Sequence, residues 1–196
     1  MSTGQLDTLF AGWASLPQWS PDGKYISCVA WRSQEAPYEL TIVDVATRTV
    51  VVDSEANASG TMSKWSPDSR LIAASGVINE SSWVMLYTVS IPDGKVAILD
   101  SVNVLSAHEF SWSPDSHWVA FSRPTALDEG ENVAAADLWL ADARTGEVWP
   151  LLETQDWVEL NPLWISDRTI QVDRRRSGTG SGGQLSQVVE LLSTKE

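Results

Sequence analysis

Residues able to do chemistry are few in this chain, and they are scattered. Among 196 residues there are two histidines, His108 and His117, one cysteine, Cys28, and no Gly-x-Ser-x-Gly stretch. A serine hydrolase needs a serine, a histidine and an acid, usually with the serine on a strained turn between glycines. Zinc needs three or four His, Cys or carboxylate ligands. Neither set occurs at a usable spacing. Gly178, Gly180, Gly182 and Gly183 do not stand between a strand and a helix, as a phosphate-cradling loop would require. The acidic run Asp128-Glu129-Gly130-Glu131-Asn132 offers oxygens to a hard cation, but it lacks the fuller ligand pattern of a calcium loop and reads as a solvated loop. No metal and no cofactor are expected. Asp22, Asp68, Asp115 and Asp167 recur at one place in a repeated phrase, as residues that secure turns do. An active site is made once per domain, so a non-enzymatic protein is expected.

What remains is recognition. Of the 11 tryptophans, Trp19, Trp65, Trp112 and Trp164 belong to the repeated phrase, whereas Trp13, Trp31, Trp83 and Trp157 have no counterpart in the other repeats. These four rings, with His108, are the candidate binding residues for a protein or peptide partner, since aromatic side chains anchor interfaces. The competing reading is that they pack under loops, and that His108 is a hydrogen-bonded structural residue. Thirteen Lys and Arg stand against 26 Asp and Glu, a formal charge of -13, so nucleic acid is not an expected partner. The run Arg174-Arg175-Arg176, followed by a Gly/Ser-rich stretch, reads as a solvated loop, with docking of an acidic group as its alternative. Cys28 aligns with Ala74 and Phe121 in other repeats and reads as a small buried apolar residue. His117 aligns with Lys24, Arg70 and Arg168 and reads as an exposed turn residue. No stretch is apolar for long enough to span a membrane, and Met1 to Phe10 carries no signal-peptide pattern. A cytoplasmic address is expected, or a periplasmic one for a processed chain.

Positioning falls to the repeat itself. Trp19-Ser20-Pro21-Asp22-Gly23-Lys24 returns as Trp65-Ser66-Pro67-Asp68-Ser69-Arg70 and as Trp112-Ser113-Pro114-Asp115-Ser116-His117, then imperfectly as Trp164-Ile165-Ser166-Asp167-Arg168. The tryptophans are 46, 47 and 52 residues apart, about one four-stranded propeller blade each. In each copy Pro pre-sets φ and Asp bonds its own backbone, so the phrase predicts a hairpin turn. Short runs rich in Ile, Val, Ala and aromatics follow, at Tyr25 to Trp31, Leu71 to Gly76, Trp118 to Arg123 and Thr169 to Asp173, and predict strands. Third strands are predicted at Glu39 to Val45, Trp83 to Val89, Asp137 to Asp142 and Gln187 to Leu192. Fourth strands are predicted at Thr49 to Asp53, Lys95 to Asp100 and Glu147 to Leu152. Sustained helical spacing is absent.

The phrase, the alternating strand after it, the Leu138 to Asp142 strand and the Thr145-Gly146 turn together resemble the WD40-like (PD40) repeats of TolB-type β-propellers. The same repeats build the propellers of prolyl-oligopeptidase-like peptidases. The resemblance covers nearly the whole chain and departs from the pattern in the fourth copy, where Pro is missing and the turn is one residue shorter. It implies an all-β propeller of four-stranded antiparallel blades in a single domain, residues 1-196. The repeats run approximately 14-55, 60-102, 107-153 and 159-192, the last completed by residues 4-10. Two other closures stay open: exchange of that strand between two chains to give an eight-bladed dimer, or membership of a longer propeller.

In such a meander the short hairpins share one face of the ring, and the longer connections share the other. That second face would receive Arg32 to Tyr38, Val77 to Ser82, Pro124 to Ala136 and Arg175 to Gly183. A protein- or peptide-binding or scaffold module working through this long-loop face is the function expected. Its alternatives are a regulatory or gating propeller beside a prolyl-oligopeptidase-like hydrolase, and a self-assembling oligomeric propeller.

Overall fold

The computed structural model describes residues 8–9, 13–31, 39–53, 59–77, 83–102, 109–129, 133–155, 157–177 and 185–191. Fifteen strands fill most of that span, in the order in which the repeats predict them. The first sheet is β1 (Trp13–Trp19), β2 (Tyr25–Trp31), β3 (Glu39–Asp44) and β4 (Thr49–Asp53), each antiparallel to the next. The second is β5 (Ser59–Trp65), β6 (Leu71–Val77), β7 (Val84–Ser90) and β8 (Val96–Val102). The third is β9 (Phe110–Trp112), β10 (Trp118–Leu127), β11 (Val133–Asp142) and β12 (Val148–Leu152). The last comprises β13 (Trp157–Ser166), β14 (Thr169–Arg176) and β15 (Leu185–Glu190), joined to the third sheet by one parallel bridge between Ala136 and Val158. The closing strand expected from residues 4-10 lies outside the described residues, apart from Thr8 and Leu9, which belong to no strand.

The turns form for the reason the phrase suggests. Ser20 Oγ donates to Asp22 Oδ1 at 2.7 Å, the same carboxylate oxygen accepts the Lys24 amide at 3.1 Å, and Ser20 Oγ accepts the Tyr25 amide at 2.9 Å. Ser66, Asp68 and Leu71 repeat this set, as do Ser113, Asp115 and Trp118. The Ser20 hydroxyl holds the Asp22 carboxyl below its ordinary value. The fourth turn differs: Ser166, in place of the aspartate, accepts the Arg168 amide at 3.4 Å, so Asp167 does not repeat the work of Asp22. At the other hairpin of the blades, Asp44 and Asp142 each accept two successive backbone amides, those of Ala46 and Thr47 and of Arg144 and Thr145.

Gly23 has φ +72°, where glycine is favoured, yet Ser69 and Ser116 occupy the same left-handed position at 62° and 63°. Their hydroxyls explain the choice. Ser69 Oγ accepts the Asp22 amide and Ser116 Oγ accepts the Asp68 amide, each at 3.0 Å, so each turn is latched to the turn of the preceding sheet.

The core lies between successive sheets, in three clusters. Trp65 packs with Leu40, Ile42 and Val52 of the first sheet, Trp112 with Ala73, Leu86 and Leu99 of the second, and Trp164 with Ala120 and Leu138 of the third. Each of these three rings is 8% exposed. Trp65 Nε1 donates to Ser27 Oγ at 3.0 Å, and Trp112 Nε1 to the Lys64 carbonyl at 2.9 Å, so each indole reaches back one sheet. Trp19, expected to pack between blades like its repeat equivalents, is instead 59% exposed, because among the described residues no sheet precedes its own. Cys28 is buried, as its alignment with Ala74 predicts.

Both ends of the expected loop Pro124 to Ala136 are strand. Pro124 to Leu127 extends β10, and Val133 to Ala136 extends β11, giving ten-residue partners whose register shifts after Pro124 and again after Ala126. Arg174 to Arg176 completes β14 and does not begin a solvated loop.

Candidate functional site

Of the candidate residues, the fold brings Trp13 and Trp31 together. They are cross-strand partners at the long-connection end of the first sheet, with ring centroids 6.3 Å apart and planes inclined by 12°. Trp13 is 52% exposed, so the stack presents one aromatic face to solvent. Trp83 precedes β7 of the second sheet without belonging to it, and is 44% exposed. His108 lies outside the described residues.

Trp157 belongs to a different cluster. Its ring lies beneath the Arg174 guanidinium, 4.7 Å from the centroid, with Arg176 at 5.6 Å. Arg174 Nε and Nη2 donate to Glu159 Oε1 at 3.1 and 2.9 Å, and the same oxygen accepts the Thr154 hydroxyl at 2.7 Å. Arg174 Nη1 also donates to Gln187, and Arg175 to the Val133 carbonyl. Glu159 is fully buried. The arginine run is therefore an ionic network that ties the last sheet to the β10–β11 arm, and the reading of it as a solvated loop is corrected. Charged residues on a strand register as polar in a sequence, and their pairing across 15 residues does not show.

A cavity of about 360 Å³ opens where the first strands of the second, third and fourth sheets converge. The residue types around it do not stand out in the sequence, because its charged groups come one from each of three sheets, Lys64, Glu109 and Asp173. Met62, Phe110 and Leu163 give it an apolar wall, and Lys64, Glu109 and Asp173 give it charge. Lys64 Nζ donates to the Phe110 carbonyl at 2.5 Å and stands 5.1 Å from the centre of the Phe110 ring. Burial pulls the Lys64 ammonium below its ordinary value, against an upward pull from Glu109. Asn161 bridges the two acids, its amide nitrogen donating to Glu109 Oε2 at 2.8 Å and its Nδ2 to Asp173 Oδ2 at 3.3 Å. Asn161 sits at φ +50° in the bulge between Leu160 and Leu163, which turns β13 locally toward the cavity. Bulges of this kind commonly stand beside binding sites. The cavity offers fixed charges to polar atoms and an apolar wall, Met62 and Phe110 among it, to apolar ones. Among the described residues no group of three His, Cys, Asp or Glu side chains converges as a metal site would require.

Consecutive antiparallel sheets, each receiving the tryptophan of the next, define a β-propeller. Among solved structures the fold is TolB-like. The chain is similar to TolB from Acinetobacter baumannii, at 17% identity and a TM-score of 0.60 over 96% of this chain and 44% of that one. It is similar to the β-propeller domain of the Trilobed protease from Pyrococcus furiosus, at 14% identity and a TM-score of 0.58 over 92% of this chain and 58% of that one. It is also similar to the Cps50 (Swd1) β-propeller domain of Myceliophteria thermophila, at 11% identity and a TM-score of 0.56 over 92% and 55%. The chain thus spans about half the length of the solved structures it matches. No family model and no curated protein matches the sequence.

Proposed function

We propose that this chain is a non-enzymatic binding module that takes an extended protein or peptide segment. The reading rests on the Trp13–Trp31 stack, half exposed at the long-connection end of a rigid sheet. Stacked, pre-ordered rings give contact area at little entropic cost, which is why such residues dominate binding energy. The acidic surface favours a cationic partner, whose approach the charge of -13 accelerates. Glu109 and Asp173 in the cavity suit the basic side chains of such a segment.

A second reading, in which the propeller works beside a hydrolase, draws on the likeness to a propeller domain described as part of a protease. A peptide library separates the two. Binding of Lys/Arg-rich peptides, read by fluorescence anisotropy against the same peptides with Glu in place of Lys and Arg, is expected for the binding module. Trp13→Ala is expected to weaken that binding at least tenfold, about 1.4 kcal/mol. No binding by any cationic member, or binding indifferent to Trp13→Ala, would overturn the reading.

A further inference from the structure

Three times in this chain a repeat tryptophan is seated on the sheet before it, and once it is not. Trp65 shows what the seat consists of: a row running across one face of the first sheet, Gln18 beside Ser27 beside Ile42, with the Ser27 hydroxyl accepting the indole N–H. Trp19 has the same place in its own sheet and no seat among the described residues, and Leu16 on the same strand is also half exposed. At the other end of the arc, the last sheet presents the equivalent row without an occupant among the described residues. Leu163 pairs with Gln171 and Gln171 with Val188; each row begins on the residue just before its repeat tryptophan, so Gln171 stands where Ser27 stands. Leu163 is 51% and Val188 56% exposed, and Gln171 can accept an indole N–H as Ser27 does. One chain therefore carries both halves of a joint that it makes internally three times.

We propose that two copies of this chain join head to tail, the Trp19 ridge of each seated on the Leu163–Gln171–Val188 row of the other. A heterologous joint made twice about a twofold axis closes into a ring and leaves neither half open. Complementarity supports a second copy as the occupant: the ridge without a seat and the row without an occupant are the two halves of the joint that Trp65 makes with the first sheet, and both are carried by this chain. Deeper on the Trp19 face, Cys28 and Val43 are already buried, which confines the joint to the inner strand β1. This packing of faces differs from exchange of an amino-terminal strand, because it needs no segment to leave its own chain. Neither Trp13 nor Trp31 enters the joint, whereas Leu163 and Gln171 of the row also line the cavity.

The test is mass in solution. Static light scattering of the purified chain at micromolar concentration is expected to give twice 21.5 kDa. Trp19→Glu and Val188→Lys, both at solvent-facing positions, are each expected to halve that mass while leaving unchanged the far-ultraviolet circular dichroism, and also the melting curve when both proteins are compared below the concentration at which copies associate. Mixing the two variants restores one intact joint, between the Trp19 of one and the row of the other, so the mixture is expected to regain dimers. A wild-type mass of 21.5 kDa, growth beyond two copies, or a mixture that stays monomeric would overturn the proposal. Should either variant lose its fold, the wild-type mass still decides the matter.

Discussion

Arg174→Ala is expected to lower the unfolding free energy by about 3–5 kcal/mol, because it leaves the Glu159 carboxylate buried without its counter-charge. The geometry makes the loss severe. Glu159 is fully buried, and Oε1 receives both guanidinium donors together with the Thr154 hydroxyl. Truncation also removes the cation stacked on Trp157 and the bond to Gln187. Replacing the pair together, as Glu159→Gln with Arg174→Met, is expected to recover most of the loss, since the cost comes from the orphaned charge and not from absent attraction. Urea unfolding followed by circular dichroism measures both. A loss below about 1 kcal/mol for Arg174→Ala would show that the carboxylate is reached by water, as an exposed pair would be.

Trp112→Ala is expected to cost about 3–5 kcal/mol, and Trp19→Ala to stay within about 0.5 kcal/mol when measured below the concentration at which copies associate. The two residues occupy the same position of the same repeated phrase, so local sequence cannot distinguish them. Their surroundings do. Trp112 is seated among Ala73, Leu86 and Leu99 with its indole bonded to the Lys64 carbonyl, and its removal opens a cavity in a joint that cannot collapse. Trp19 has lost little water. Unfolding midpoints at constant slope against urea give both values, and equal costs would mean that the first sheet is seated on another after all.

This pair also marks the boundary of what the sequence reveals. The turn phrase is local chemistry, with Ser, Pro and Asp acting within six residues, and the strands beside it alternate clearly; β2 and β4 have the bounds their patterns predict. The propeller class follows from repetition alone. The β10–β11 arm was harder to see, because Pro124 and the alanines Ala134 to Ala136 carry little strand preference and the pairing there shifts register twice. Ser69 and Ser116 look like ordinary turn residues until the neighbouring sheet supplies the amide that each accepts. The cavity was hidden for a similar reason: Lys64, Glu109 and Asp173 come from three sheets, and nothing in their spacing announces that they meet. Of the aromatic candidates, Trp13 and Trp31 were placed on one face by their position at strand ends, whereas Trp157 is held by the arginines that follow β14's core positions.

The central claim is that each repeat folds as one sheet and lays its tryptophan on the sheet before it. Nuclear Overhauser contacts from the indole N–H protons read this directly in solution. The account predicts contacts from the Trp65 indole to Ser27 and Ile42, and from the Trp112 indole to Lys64 and Leu86, with none from Trp19 to another sheet of its own chain. Contacts from Trp65 and Trp112 confined to their own repeats would contradict it.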